Sequence, residues 1–419
     1  MRLAMRLNRP ATYLKSQTPQ REQKVVSTSA TRKNLLHTAL PEDILAGKVT
    51  DVYFERTKQI LDAQGKHARV VAEFVLKKFS DDYKWGLFTG LEETLAIFEK
   101  MPVTVRGLPE GALFHEEEPV LEIEGDYFDF ALFETAILGF LCQASGVATR
   151  AARCKKAAAG RPIISFGARR MHPAIAPMIE RSAYLGGCDG VASIAAAELL
   201  GIAPSGTMPH ALILILGDTL EAIRAFDEVI DTKIPRVALI DTFSDEKFEA
   251  LRVAEAMREK LAGIRLDTPS NRRGNFASLA GEIRWELDLR GFKHVKIFLS
   301  GGIDEQKIQQ YNAVADAYGV GTAISNAAVL DFSMDLVEIN GKAIAKRGKK
   351  SGRKDLLRCQ SCRTRRIVPS VFKLEKCACG GQLESLLVPI IDNGKLVYNK
   401  PAPQQIRERV LQQLEQVDL

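Results

Sequence analysis

The chain has 419 residues, of which 46% are hydrophobic and 26% charged, with seven cysteines and a formal net charge of +6. That is the balance of a soluble globular protein with room for two or three domains. No continuous apolar run approaches the roughly 18 residues of a membrane span. So mild a positive excess does not imply nucleic-acid binding, but it suits an enzyme that handles anions.

Residues 1–34 stand apart, with Arg2, Arg6, Arg9, Lys15, Arg21, Lys24, Arg32 and Lys33 against the single acid Glu22. They read as a disordered extension, an organelle transit peptide being the competing interpretation. Nothing in them resembles a secretory signal, so a reducing, cytoplasmic setting without disulfides is expected. Residues 35–145 predict an α+β domain. It has a helix at Val52–Gln64, short strands at Val103–Val105, Leu113–Phe114 and Val120–Ile123, and a second helix at Phe128–Gly146.

Residues 146–340 change to a regular alternation. Strands are predicted at Pro162–Phe166, Gly190–Ser193, Arg236–Asp241, Ile264–Asp267, Val295–Ser300 and Val320–Ile324. Helices fall between most of them, at Pro173–Leu185, Asp218–Ile230, Asp245–Leu261, Phe276–Arg290 and Glu305–Tyr311. Units of this kind specify a parallel sheet with right-handed crossovers, here an irregular or incomplete α/β barrel. Residues 341–419 form a C-terminal region with a small zinc-knuckle-like module at 355–385.

The strand ends carry the chemistry. Phe166 is followed by Gly167 and the pair Arg169-Arg170, and later strands stop at Asp241-Thr242, Asp267-Thr268, Ser300-Gly301-Gly302 and Gly319-Val320-Gly321-Thr322. Polar and glycine residues at the carboxyl ends of successive strands are what a barrel-type active site requires. Adjacent glycine turns expose backbone N–H groups and let a phosphate approach closely. Asp241 and Asp267 suit ribose hydroxyls or Mg²⁺, with helix capping as the plainer role. Arg169, Arg170 and Arg265 offer planar forks for phosphate or carboxylate. His210 and His172, taken alone, read as ordinary structural histidines.

The run Ser165-Phe166-Gly167-Ala168-Arg169-Arg170-Met171-His172-Pro173 resembles the signature of nicotinate phosphoribosyltransferases of the archaeal type, within the type II phosphoribosyltransferase family. Gly206-Thr207-Met208-Pro209-His210-Ala211, Leu239-Ile240-Asp241-Thr242, Arg265-Leu266-Asp267-Thr268-Pro269-Ser270 and the two glycine turns resemble the same family, in its order. The resemblance implies synthesis of nicotinate mononucleotide from nicotinate and phosphoribosyl pyrophosphate in NAD salvage. Phe166 would stack on the pyridine, and Tyr53 of a partner subunit would cover its other face. Arg169 and Arg265 would hold the anions, Asp241 and Asp267 would face ribose and Mg²⁺, and Gly301, Gly302, Gly321 and Thr322 would cradle the 5′-phosphate. His210 would be the histidine that ATP phosphorylates.

The run from Lys346 and Arg347 to Lys354 reads either as a solvated linker or, by the same resemblance, as a segment reaching a partner's phosphate site in a homodimer. Cys359-Gln360-Ser361-Cys362 and Cys377-Ala378-Cys379 supply four thiolates from two tight turns, the ligand set of a structural Zn²⁺ site. Quinolinate and nicotinamide phosphoribosyltransferases are the rival enzymes. The Thr-Arg-Lys motif associated with the former occurs here only at Thr31-Arg32-Lys33, out of context. A nucleic-acid-binding zinc protein is the rival of another class, and it leaves the strand ends unexplained.

Overall fold

The computed structural model describes residues 36–419 apart from Asp81, Lys100 and Arg273, so the extension at 1–34 lies outside the described residues. The chain divides into a segment Met1–Leu40 and a body Pro41–Leu419.

Two sheets organise the body. The first has seven strands in the order Lys342–Ala343, Phe332–Ile339, Arg69–Leu76, Pro119–Asp126, Thr104–Gly107, Val388–Asp392, Lys395–Leu396. Its pairings are antiparallel throughout. The strand Arg69–Leu76, unanticipated from the sequence, lies in its interior, third in order, and is buried along all but its first residue. Burial on both faces gives it a near-continuous apolar run rather than an alternation. Its one acid, Glu73, is held by Lys354 Nζ at 2.7 Å.

The second sheet has six parallel strands, ordered Gly190–Val191, Ile163–Ser165, Ala317–Val320, Lys296–Leu299, Leu261–Leu266, Arg236–Leu239, and curls into a half-barrel. The alternation in the sequence foretells this sheet, with two errors of position. The strand expected at Ile264–Asp267 begins at Leu261, where the predicted helix Asp245–Leu261 still runs. The predicted strand Val320–Ile324 is the strand Ala317–Val320, and Thr322–Ser325 already turns as helix. The apolar run continues past Gly321, but the backbone there (φ −101°, ψ −105°) breaks the extended path. Ala211–Leu216, short enough for either a strand or a helical turn, belongs to the helix His210–Leu216.

Between the sheets runs the helix Glu134–Ala157, which continues through Gly146 rather than ending there. A Cβ on Gly146 would stand 2.2 Å from the Ala328 carbonyl oxygen, so the residue is small because another backbone crosses the helix. The stretch 127–157 has the length and composition to cross a membrane, yet half of its most apolar window is buried. Ile137, Leu141, Ala144, Val147, Ala148 and Ala151 form that inner face, the pattern of a core helix.

Downstream, Lys354–Cys359, Arg365–Pro369 and Leu383–Ser385 make a three-stranded antiparallel sheet that carries the cysteines. The chain then returns to the first sheet as Val388–Asp392 and ends in the helix Pro403–Leu414. Ile406, Val410 and Leu414 of that helix pack with Trp85, Leu87 and Leu113 in a core of their own. Each such fully buried side chain contributes roughly 1.5–3 kcal/mol.

Candidate active site

The carboxyl ends of the parallel strands gather most of the residues singled out in the sequence. Phe166 leaves its strand with its N–H donating to the Val320 carbonyl at 2.9 Å. Its ring packs against Phe298 with centroids 5.8 Å apart, and the Arg265 guanidinium stands 5.6 Å from its centroid. Gly319 makes room for that ring, since a Cβ there would lie 2.5 Å from two ring carbons.

Arg265 links the ring to the acids. It donates to Thr207 Oγ1 and, at 3.3 Å, to Asp267 Oδ2. The other Asp267 oxygen accepts from Ser300 Oγ at 3.0 Å. Asp241 is one strand over, its side chain only 1% exposed, with Oδ1 3.2 Å from His210 Nε2. Its second oxygen, Oδ2, is buried with no hydrogen-bond partner. Burial pushes the Asp241 carboxyl above the ordinary carboxylate range, and the nearby Asp267 charge adds to this while His210 opposes it. A buried carboxylate oxygen without a donor is costly unless something supplies positive charge or a hydroxyl. The unpaired Asp241 oxygen suits a hard divalent cation or a sugar hydroxyl.

The glycine turns stand on the neighbouring strands. Gly301 and Gly302 both have positive φ, +80° and +65°, a backbone that other residues rarely adopt. Among the described residues the Gly302 N–H donates to no backbone carbonyl. Gly321 and Thr322 open the short helix after the next strand. The region therefore offers an aromatic face, an arginine fork, two carboxylates and, at Gly302, a backbone N–H without a backbone partner.

The remaining candidates lie elsewhere or are less tightly held. Arg169 is exposed on the 3-10 turn Ala168–Arg170. His172 serves as a cap, its Nδ1 accepting from the Ala174 N–H at 3.1 Å. Tyr53 is 55% exposed and 3.4 Å from Asp51 Oδ2, on a helix that is tied to Thr135 through the Asp51 N–H. Lys346 pairs at 2.7 Å with Asp335, in the antiparallel sheet, and Arg347 is exposed beside it. The basic run is largely neutralised there, Lys349 also reaching Asp335 at 2.7 Å and Lys350 reaching Glu117 at 3.0 Å. Thr207, Phe298, Ser300 and Gly319 were not singled out individually, although all but Phe298 fall in the quoted motifs. Their positions matter only through neighbours on other strands.

Cys359, Cys362, Cys377 and Cys379 converge, their sulfurs all within 4.8 Å of one another. The pairs Cys359–Cys379 and Cys362–Cys377 are 3.5 and 3.7 Å apart. A tetrahedron with metal–sulfur bonds of ~2.3 Å has edges of ~3.8 Å. The CxC half thus closes onto the CxxC half at sulfur separations near that edge. Gly381 is required there, since a Cβ would come within 2.7 Å of Cys359 Sγ. The cluster can bind a metal.

Strand-end acids and arginine under an aromatic ring, beside two glycine turns on a parallel half-barrel, define a phosphoribosyltransferase-type site. The chain belongs to the quinolinate phosphoribosyl transferase family, whose N-terminal domain matches residues 51–145 and whose C-terminal domain matches residues 147–335. It is similar to the crystal structure of nicotinate-nucleotide pyrophosphorylase from Pyrococcus furiosus, with 51% identity, a TM-score of 0.90, and coverage of 92% of this chain and 100% of the other. Human nicotinic acid phosphoribosyltransferase shares the fold, with a TM-score of 0.70 at 18% identity over 88% of this chain and 94% of that one. Nicotinate phosphoribosyltransferase pncB1 of Mycobacterium tuberculosis is 34% identical over 268 residues, 61% of this chain. The chain spans 58% of the length of that relative.

Proposed function

We propose that this protein is a nicotinate phosphoribosyltransferase of NAD salvage, making nicotinate mononucleotide from nicotinate and phosphoribosyl pyrophosphate in a cytoplasmic, ATP-coupled reaction. The observation that carries this reading is the linked set Phe166, Arg265 and Asp267 beside the pair Asp241 and His210 at the strand ends. In this reading the pyridine stacks on Phe166, while Arg265 and Arg169 take its carboxylate and the pyrophosphate. Asp241 and Asp267 face the ribose, and Gly301, Gly302, Gly321 and Thr322 receive the 5′-phosphate. As pyrophosphate departs from C1, positive charge develops on the sugar, and the two carboxylates, held in place by the fold, stabilise it without reorganising. The pyridine nitrogen, already held in place, attacks the opposite face, so positioning supplies most of the rate.

Asp241 Oδ2 is the atom that Mg²⁺ would satisfy, and the bound ion would draw charge from the leaving pyrophosphate. His210 is oriented through Nε2 by Asp241, which leaves its other ring nitrogen as the one open to phosphorylation by ATP. The exposed Tyr53 and the Lys346–Arg347 turn are assigned to the site of a second copy in a homodimer. Four thiolates in an intracellular protein favour Zn²⁺, with a structural role.

Family models named for quinolinate and relatives named for nicotinate pull in different directions. Motif resemblance favours nicotinate. Product formation from phosphoribosyl pyrophosphate with nicotinate, quinolinate or nicotinamide, each with and without ATP, tests the reading. Faster turnover of quinolinate, with release of CO₂, would overturn it.

A further inference from the structure

We propose that Lys307 is a ligand of the 5′-phosphate, an inference that rests on the phosphoribosyl reading of the strand-end site. Lys307 lies on the helix Glu305–Tyr311, which follows the Gly301–Gly302 turn. Its ammonium folds back over that turn, donating to the Gly302 carbonyl and standing 3.3 Å from Asp304 Oδ2. Among the described residues, its two chain neighbours apart, the only atom within 4 Å of a Cβ built on Gly302 is Lys307 Nζ, at 3.9 Å. The space above this glycine is therefore open, and one cation faces it.

A lysine ammonium carries three donors. The Gly302 carbonyl and Asp304 account for two, which leaves a third for an anion in the open space. Asp304 has a separate task, accepting from the Lys307 N–H at 2.9 Å as the helix cap, so the carboxylate does not depend on the ammonium for its place. With its side chain 38% exposed, Lys307 can lean onto a phosphate without leaving a buried position. The arrangement gives the turn both backbone donors and a mobile positive charge. The second selects a dianionic phosphate over a neutral hydroxymethyl group.

The test compares wild type with Lys307→Met and Lys307→Arg by calorimetric titration with phosphoribosyl pyrophosphate and, separately, with inorganic pyrophosphate. One charge-assisted hydrogen bond amounts to about a ten- to hundred-fold change in affinity. Lys307→Met should weaken phosphoribosyl pyrophosphate by that factor and leave pyrophosphate within about twofold, while Lys307→Arg recovers most of the loss. The melting temperature of the ligand-free variants should match wild type. If Lys307→Met binds phosphoribosyl pyrophosphate as wild type does, the assignment of Lys307 falls and the reading of the site stands. Equal weakening of both ligands, or a lowered ligand-free melting temperature, makes Lys307 a strut for the turn and overturns the proposal. If wild type itself binds no phosphoribosyl pyrophosphate, the site reading and the proposal fall together.

Discussion

Replacing Gly319 with alanine should damage pyridine handling far more than sugar handling. Gly319 is in the buried part of the strand Ala317–Val320, and alanine meets no backbone penalty there, so any effect is steric. The added methyl carbon would stand 2.5 Å from Phe166 Cδ2 and Cε2, against an ordinary carbon–carbon contact of about 3.5–4.0 Å. The ring must retreat by about 1 Å, with Phe298 and Arg265 packed beside it. Overpacking of this kind costs roughly 1–3 kcal/mol. A misplacement of about 1 Å at a positioning group costs on the order of a hundredfold in rate. Steady-state kinetics should show kcat/KM for nicotinate down by about that factor, with the affinity for phosphoribosyl pyrophosphate nearly kept. Adding Phe166→Leu should relieve the crowding and restore the denaturation midpoint without restoring nicotinate turnover. A Gly319→Ala enzyme that folds and turns over nicotinate normally would show that Phe166 is not the pyridine's platform.

His210→Ala should abolish ATP stimulation while a slow ATP-independent turnover persists, and stimulation equal to wild type would refute the role of the histidine. Asp241→Asn should remove activity yet match or exceed wild-type stability at pH 7. Because the folded-state pKa of Asp241 is raised, the native state takes up its proton first as pH falls. The penalty for burying the charge is full above that pKa and shrinks as pH falls through it, so the advantage of asparagine should narrow in acid. Denaturation at pH 7 and in mild acid checks the sign; a gap that widens in acid contradicts the cause assigned. Zinc measured against protein in metal-free buffer should give a ratio near one in wild type and near zero in Cys379→Ser. A wild-type ratio far below one would remove the metal site.

The sequence discloses the parallel sheet well because short apolar strands separated by amphipathic helices leave few other solutions. It also discloses the strand-end residues, whose types are out of place in a core. It does not disclose Arg69–Leu76, because a run buried on both faces lacks a period that separates strand from helix. Nor does it tell where the strand near Val320 stops, since apolar residues continue across the turn. Ser300, Thr207 and Phe298 acquire meaning only from partners on other strands, at Asp267, Arg265 and Phe166. Spacing marks the basic run but not that Asp335 and Glu117 already engage three of its lysines. The cysteines were legible as a set, while only the fold closes the CxC half onto the CxxC half.

The antiparallel sheet draws its members from far along the chain. Arg69–Leu76 sits between Pro119–Asp126 and Phe332–Ile339, and Thr104–Gly107 is flanked by Val388–Asp392. A nascent chain can finish the half-barrel by Val320 while two rows of unpaired backbone groups in the first sheet still await their neighbours. Those exposed edges invite pairing with other chains until the last strands emerge from the ribosome. Long-range closure of this kind is slow, so loss of residues beyond 387 should lower the yield of native protein even though they lie outside the half-barrel.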